Sequence, residues 1–175
     1  MTAAVRVATH DDAAAIARVH VLSWQGAYRG QVPDEVLDGL SVEQRQLMWQ
    51  SILSAPIHPD HHVDVVTEDG AVIGFGHVCP SRDPDALPQT GEVSSIYLAP
   101  AAWGMGAGRL LMASLVAQMT VCGFTQATLW VLKGNARARH FYEDAGWVCD
   151  GSEKTETMVG TQVTEVRYRR ALTAD

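Results

Sequence analysis

The order of hydrophobic patterns along the chain predicts a mixed α/β fold, a sheet with helices packed on it, in one domain over residues 1–175. Three observations carry this. Segments with alternating apolar residues, the period of a half-buried strand, are interleaved with segments of helical period. The two kinds follow one another unevenly: a strand, two or three helices, three strands, a helix, a strand, a helix and two strands. That points to a mixed α/β layer rather than a regular parallel repeat. The length of 175 residues is enough to enclose one sizeable core.

Val5–Ala8 reads as the first strand. Thr9 and Asp12 have the spacing of a capping box. Ala13, Ile16, Ala17, His20 and Val21 then share one helical face, so a helix is expected to about Tyr28, closed by Gly30. Pro33-Asp34 opens a short helix carrying Val36, Leu37 and Leu40. Ser41 with Gln44 is a second capping box, before a helix carrying Leu47, Met48, Ile52 and Leu53. Pro56, Pro59 and three histidines make a loop. His62–Glu68 and Ala71–Val78 are strands joined at Asp69-Gly70, a pair that tolerates the positive φ of a tight hairpin. The proline-containing stretch Pro80–Gly91 is a loop, and Glu92–Leu98 is a strand. Ala107 to about Cys122 is a helix with Leu110, Leu111, Met112, Leu115, Val116 and Met119, stopped by Gly123. Ala127–Leu132 is a strand. Asn135 is placed to cap a helix reaching Ala145, with Gly146 just past its end. Trp147–Cys149 and Gln162–Arg169 close the fold as strands.

Composition narrows the function classes. A formal net charge of −7 argues against a non-specific nucleic-acid binder, which needs a basic surface, and suits a cationic or neutral ligand. No apolar run approaches the roughly 20 residues of a membrane span, and the N-terminus lacks a secretory pattern. A cytoplasmic protein with no membrane partner is expected. Cys79, Cys122 and Cys149 form no CxxC pair and read as reduced thiols. His58, Asp60, His61 and His62 lie in a proline-broken loop without a fixed ligand face, so no metal is expected.

The strongest chemical signal is Trp103-Gly-Met-Gly-Ala-Gly-Arg109, between a strand and a long helix. Gly104, Gly106 and Gly108 leave the backbone open to close approach. The helix start adds unpaired N–H groups and partial positive charge, which together suit a diphosphate. Arg109 adds a cation. A dinucleotide GxGxxG is not present, because Arg109 or Leu111 falls where its third glycine belongs. There is no Gly-Lys-Ser/Thr run either. Ser94-Ser95 lacks the GxSxG turn of a hydrolase.

Here the sequence resembles the GNAT superfamily of acyl-CoA-dependent N-acetyltransferases. Leu98-Ala-Pro-Ala-Ala-Trp-Gly-Met-Gly-Ala-Gly108 looks like its cofactor motif. Asn135-Ala-Arg-Ala-Arg-His-Phe-Tyr-Glu-Asp-Ala-Gly-Trp147 looks like its last helix and strand, and Arg6–Ile16 is similar to its first strand and helix. One departure is Trp103, where relatives often carry Arg or Gln. The resemblance implies a mostly antiparallel sheet of about seven strands with four to five helices, acetyl-CoA as co-substrate, and a possible homodimer. It implies that Ile96, Tyr97 and Leu98 bind the pantetheine arm through their backbone, as an added strand would. Gly104, Met105, Gly106, Ala107, Gly108 and Arg109 should cradle the pyrophosphate, and Asn135 should contact the arm as well as cap its helix.

Transfer from a thioester to an amine needs a neutral nucleophile and a protonated leaving group. The resemblance points to Tyr142, seven residues after Asn135, as the acid. Glu92 is the candidate base, directly or through water. Alternation puts it on one face with Ser94 and Ile96, and the next strand, Thr128–Leu132, holds no carboxylate. His20, Trp24 and Tyr28 fall four apart on the first helix, which borders the acceptor in the family, and could hold an amine by cation–π contact. A non-catalytic acyl-CoA sensor would keep the turn and lose the acid and base; the presence of Glu92 and Tyr142 favours an enzyme acting on a small-molecule or protein amine.

Overall fold

The computed structural model describes residues 3–55 and 58–172, so Pro56 of the expected histidine loop lies outside the described residues. The elements are β1 (Ala3–Val7), α1 (Ala13–Ala27), α2 (Asp34–Asp38), α3 (Val42–Ser54), β2 (His62–Glu68), β3 (Ala71–Pro80) and β4 (Thr90–Leu98). They continue with α4 (Ala107–Val121), β5 (Gln126–Leu132), α5 (Ala136–Asp144), β6 (Val148–Met158) and β7 (Thr161–Ala171). The strands form one sheet in the order β1-β2-β3-β4-β5-β7-β6. All neighbours are antiparallel except β4 and β5. This is the mixed, mostly antiparallel seven-stranded sheet that the family resemblance implied.

Local chemistry sets the boundaries. The Thr9 N–H donates to the Asp12 carboxylate at 2.7 Å, and Arg6 grips both Asp12 oxygens at 2.7 and 2.8 Å, tying β1 to the start of α1. Ser41 Oγ accepts from the Gln44 N–H at 3.1 Å and caps α3. Asp69 and Gly70 take φ of 49° and 83°, as the β2–β3 hairpin requires.

The sheet separates two apolar layers. On one face α1 and α3 bury Ala13, Ile16, Val19 and Trp49 against Val65 and Phe75. On the other, α4 and α5 bury Leu111, Leu115, Met119 and Tyr142 against Val78, Val93, Leu129 and Val166. Gly76 permits the close seating of α4, since a Cβ there would lie 2.4 Å from a Leu115 methyl.

Two features depart from the sequence reading. β6 runs on to Met158, well past the Cys149 end expected of that strand, and its partner β7 starts at Thr161. β6 is an edge strand exposed along most of its length, so it carries charges in place of an apolar alternation. Trp147 is buried in the core just ahead of that strand. The second departure is a bulge in β4. Val93 pairs with Val78 and Ser95 with His77, leaving Ser94 as the extra residue. A bulge resets alternation. Ile96 and Leu98 therefore join Val93 on the α4 face, while Tyr97 packs on the α1 side. The expected grouping of Glu92 with Ile96 is thereby corrected: Glu92 points away from the Val93 face and shares the α1 side with Tyr97.

Beyond the bulge the sheet splits. β4 and β5 pair only over Thr90–Val93 and Gln126–Leu129. From Ser94 onward the two strands diverge.

Candidate active site

The divergence of β4 and β5 opens a cleft of about 660 Å³. One end is bounded by the turn before α4 and by the start of α5. Gly104, Gly106, Gly108 and Arg109 line it, and Gly104 and Gly106 hold φ of 76° and 89°. No atom lies within 4 Å of where a Cβ would stand on either residue, so the space before the backbone stays clear. The N–H groups of Arg109 and Leu110 both bond to the Gly106 carbonyl at 3.1 and 3.2 Å. Helical bonding thus begins at Gly106, and the amides before Arg109 are the free donors of a helix start. Of the other expected residues in the turn, Met105 projects into solvent and Ala107 into the core, so only their main chains can serve a ligand here.

Trp103 has a structural task. Its indole N–H donates to the Leu98 carbonyl at 3.0 Å. Gly26 of α1 lets the turn sit close, since a Cβ there would lie 2.7 Å from Pro100 and 2.9 Å from the Trp103 ring. The Arg137 guanidinium stacks on that ring at 3.2 Å from its centroid and lines the cleft. A cation is therefore present beside the turn, supplied by α5. Asn135 Oδ1 accepts from the Ala138 N–H at 3.1 Å, so the side chain is a true cap, and it lines the cleft as well.

Ile96, Tyr97 and Leu98 line the middle, with Tyr142 of α5 against them. Burial pushes the Tyr142 phenol well above its usual value, with Tyr97 adding to the effect. Tyr97 and Tyr28 are raised for the same first reason.

The far end lies on the α1 side of the sheet. Glu92 is buried there, and its carboxylate accepts from Arg82 Nη2 at 2.6 Å and from the Arg82 backbone N–H at 3.1 Å. Tyr28 forms one wall. His20 and Trp24, expected beside it, do not line the cleft; both are buried behind Tyr97 in an aromatic cluster with Trp49 and Phe75. Residues four apart drift around a helix, so only the last of the three reaches the opening. His20 Nδ1 accepts from the Trp49 indole at 3.1 Å, and burial, helped by the charge of Arg45, holds its pKa down to about 3. It is a neutral core histidine. In the histidine loop, His62 instead pairs with Asp64 at 2.8 Å. Among the described residues no cluster of three or more His, Cys, Asp or Glu is placed to hold a metal, and no helix is long and apolar enough to cross a membrane.

Residues 9–147 match the family model for the acetyltransferase (GNAT) family. The chain belongs to that family. It is 30% identical over 131 residues to the uncharacterized N-acetyltransferase YuaI of Bacillus subtilis (strain 168), a match spanning 75% of this chain and 72% of YuaI. Its fold is similar to that of the PaiA N-acetyltransferase from Thermoplasma acidophilum, solved in complex with coenzyme A, with a TM-score of 0.69 and 20% identity over 98% of this chain and 99% of that one. A GCN5-related N-acetyltransferase from Rhodopseudomonas palustris gives a TM-score of 0.75 at 20% identity, over 98% of this chain and 97% of that one.

Among the cleft side chains of this GNAT chain that the sequence reading missed are Arg137, Trp130, Lys154 and Glu165. One signal was available for Arg137. A cation in the first turn of a helix opposes the helix dipole, and so points to a local partner. The others come from strands whose pairing was invisible. Trp130 carries Lys154 over its ring at 4.4 Å, and Lys154 in turn reaches Glu156 at 2.7 Å and Glu165 at 3.4 Å.

Proposed function

We propose that this protein transfers an acetyl group from acetyl-CoA to a primary amine by direct attack, without an acyl-enzyme. The observation that carries the reading is the split between β4 and β5: free helix-start amides and two arginines stand at one end, a carboxylate at the other, and a buried phenol between them. The fit to coenzyme A rests on those unpaired amides and on the clear space before Gly104 and Gly106. Backbone groups of Ile96 to Leu98, freed from strand pairing on the β5 side, suit a pantetheine amide in the manner of an added strand.

Acetyl-CoA held there would supply an activated acyl carbon. The remaining steps fall to side chains. An alkyl ammonium, with a pKa near 10.4, must first lose a proton. Glu92 receives it, directly or through water, while Arg82 fixes the carboxylate in place. Tyr142 then protonates the sulfur as the carbon–sulfur bond breaks. Its elevated pKa keeps the proton on the phenol at neutral pH. Even an unshifted phenol is a weaker acid than the thiol by about 1.5 units, or about 2 kcal/mol. Donation is therefore effective only as negative charge gathers on sulfur. The second proton of the attacking nitrogen restores Tyr142, and one proton leaves to solvent.

The test is release of free coenzyme A from acetyl-CoA across a panel of primary amines, with binding followed by thermal shift. Turnover on at least one amine is expected. Tight acetyl-CoA binding with no turnover on any amine would replace the enzyme with a cofactor sensor.

A further inference from the structure

The charges lining the cleft are not evenly shared. At the turn two arginines, Arg109 and Arg137, line the cleft with one carboxylate, Asp144, which Arg109 meets at 3.6 Å, leaving a positive excess suited to phosphates. At the other end Arg82 and Glu92 neutralise one another. What remains is one cation, Lys154, between two carboxylates, Glu156 and Glu165. Lys154 is drawn to Glu156 at 2.7 Å and rests on Trp130, and its contact with Glu165 is the longer one at 3.4 Å. The unbalanced negative charge thus sits on Glu165.

Glu165 is also well positioned. It pairs across the sheet with Leu132, the last residue of β5, and so stands on the bank of the split opposite Glu92. Its side chain is only 12% exposed, and it lines the cleft. Around it are Tyr28 from α1, Tyr97 and Glu92 from β4, and Lys154 and Glu156 from β6. A desolvated carboxylate short of a cation is costly until one arrives. Burial accordingly raises its pKa, with Glu156 and Glu92 adding to the rise and Lys154 opposing it.

We propose that Glu165 docks the ammonium group of the acceptor, and that the acceptor is therefore an alkylamine that enters the cleft as a cation. The inference rests on the acetyltransferase reading above and assigns its acceptor class. Glu165 binds the ammonium form by charge, and Glu92 across the split takes the proton. The aromatic face of Tyr28, which lines the cleft, suits the alkyl stem. An arylamine, uncharged at neutral pH, gains nothing from Glu165.

The experiment compares wild type with Glu165→Gln at saturating acetyl-CoA, using a primary alkylamine series and an arylamine series. For the variant, KM for alkylamines should rise about tenfold or more, with kcat changed much less. The salt dependence of kcat/KM for alkylamines should shrink, and the acetyl-CoA thermal shift should match wild type. Lys154→Met carries the same test with opposite sign, and does so even if Glu165→Gln does not fold. It releases Glu165 and should lower KM for alkylamines. An unchanged alkylamine KM in Glu165→Gln, an unchanged or raised KM in Lys154→Met, or a wild-type preference for arylamines each overturns the assignment and leaves the acetyltransferase reading standing. Failure of the wild-type protein to bind acetyl-CoA overturns both.

Discussion

Helix α4 begins and ends on a left-handed glycine, Gly106 at φ 89° and Gly123 at φ 85°, and this symmetry allows a controlled experiment. A methyl added at either position meets no atom within 4 Å, so neither substitution by alanine creates a clash. Each forces an L-residue into the left-handed region at about 1–2 kcal/mol, offset by about 0.4–1 kcal/mol from the stiffer unfolded chain. The net destabilisation is about 1 kcal/mol at either end, or about 2–4 °C in Tm for a chain of this size. The two variants should differ in the ligand. At Gly106 the methyl stands before the free amides of the turn and should remove at least one charge-assisted hydrogen bond, about 1.5–3 kcal/mol. That is a loss of about tenfold to a hundredfold in coenzyme A affinity. Gly123, at the other end of the helix, should leave affinity unchanged. Calorimetric titration of coenzyme A into both variants, with melting curves of the free proteins, checks this. Equal affinities for the two variants would refute the placement of the pyrophosphate at the turn.

Three other outcomes are expected. Tyr142→Phe should lower kcat by about a hundredfold, within the range for a lost general acid, while acetyl-CoA affinity by thermal shift stays near wild type. Arg137→Ala should weaken coenzyme A binding and reduce its salt dependence. Arg137→Lys should restore it only in part, since an ammonium cannot stack flat on Trp103 as the guanidinium does. Asp12→Asn should destabilise the protein at neutral pH by about 1–2 kcal/mol, because Arg6 and the Thr9 N–H hold the Asp12 carboxylate down to a pKa of about 2, from 3.8. A depressed carboxylate stabilises the fold fully above its unfolded value. The advantage of wild type over Asp12→Asn should therefore persist above about pH 4 and vanish as pH falls through about 2, as melting curves against pH will report.

The turn around Gly106 was legible because its chemistry is local: a strand, three spaced glycines and a helix start are contiguous in the chain. The capping residues Ser41 and Asn135 were legible for the same reason. What escaped depended on pairing between distant segments. The bulge at Ser94 is an offset between β4 and β3, and no single-strand pattern encodes it. It sent Ile96 to the α4 side and left Glu92 with Tyr97. β6 was obscured because an edge strand wet on most of its surface has no apolar alternation, and its hairpin turns on Val159-Gly160, where Val159 takes φ 47° against the habit of β-branched residues. Glu165 carries no signal of its own within the strand Gln162–Arg169, because its place in the cleft depends on β7 lying beside the end of β5. His20 and Trp24 show the opposite error, since helical spacing identified a shared stripe without revealing that the stripe is core.

The arrangement of the sheet also bears on how the protein is made. β1 to β4 come from residues 3–98 and β5 to β7 from residues 126–171, and within each group every strand neighbour is antiparallel. Each half can therefore collapse on its own contacts as it leaves the ribosome, the N-terminal half first. Their strands pair along Thr90–Val93 and Gln126–Leu129, and Arg167 of β7 reaches Asp83 and Asp85 ahead of β4, contacts that wait for the later half to be synthesised. Catalytic competence would then be among the last properties a nascent molecule acquires.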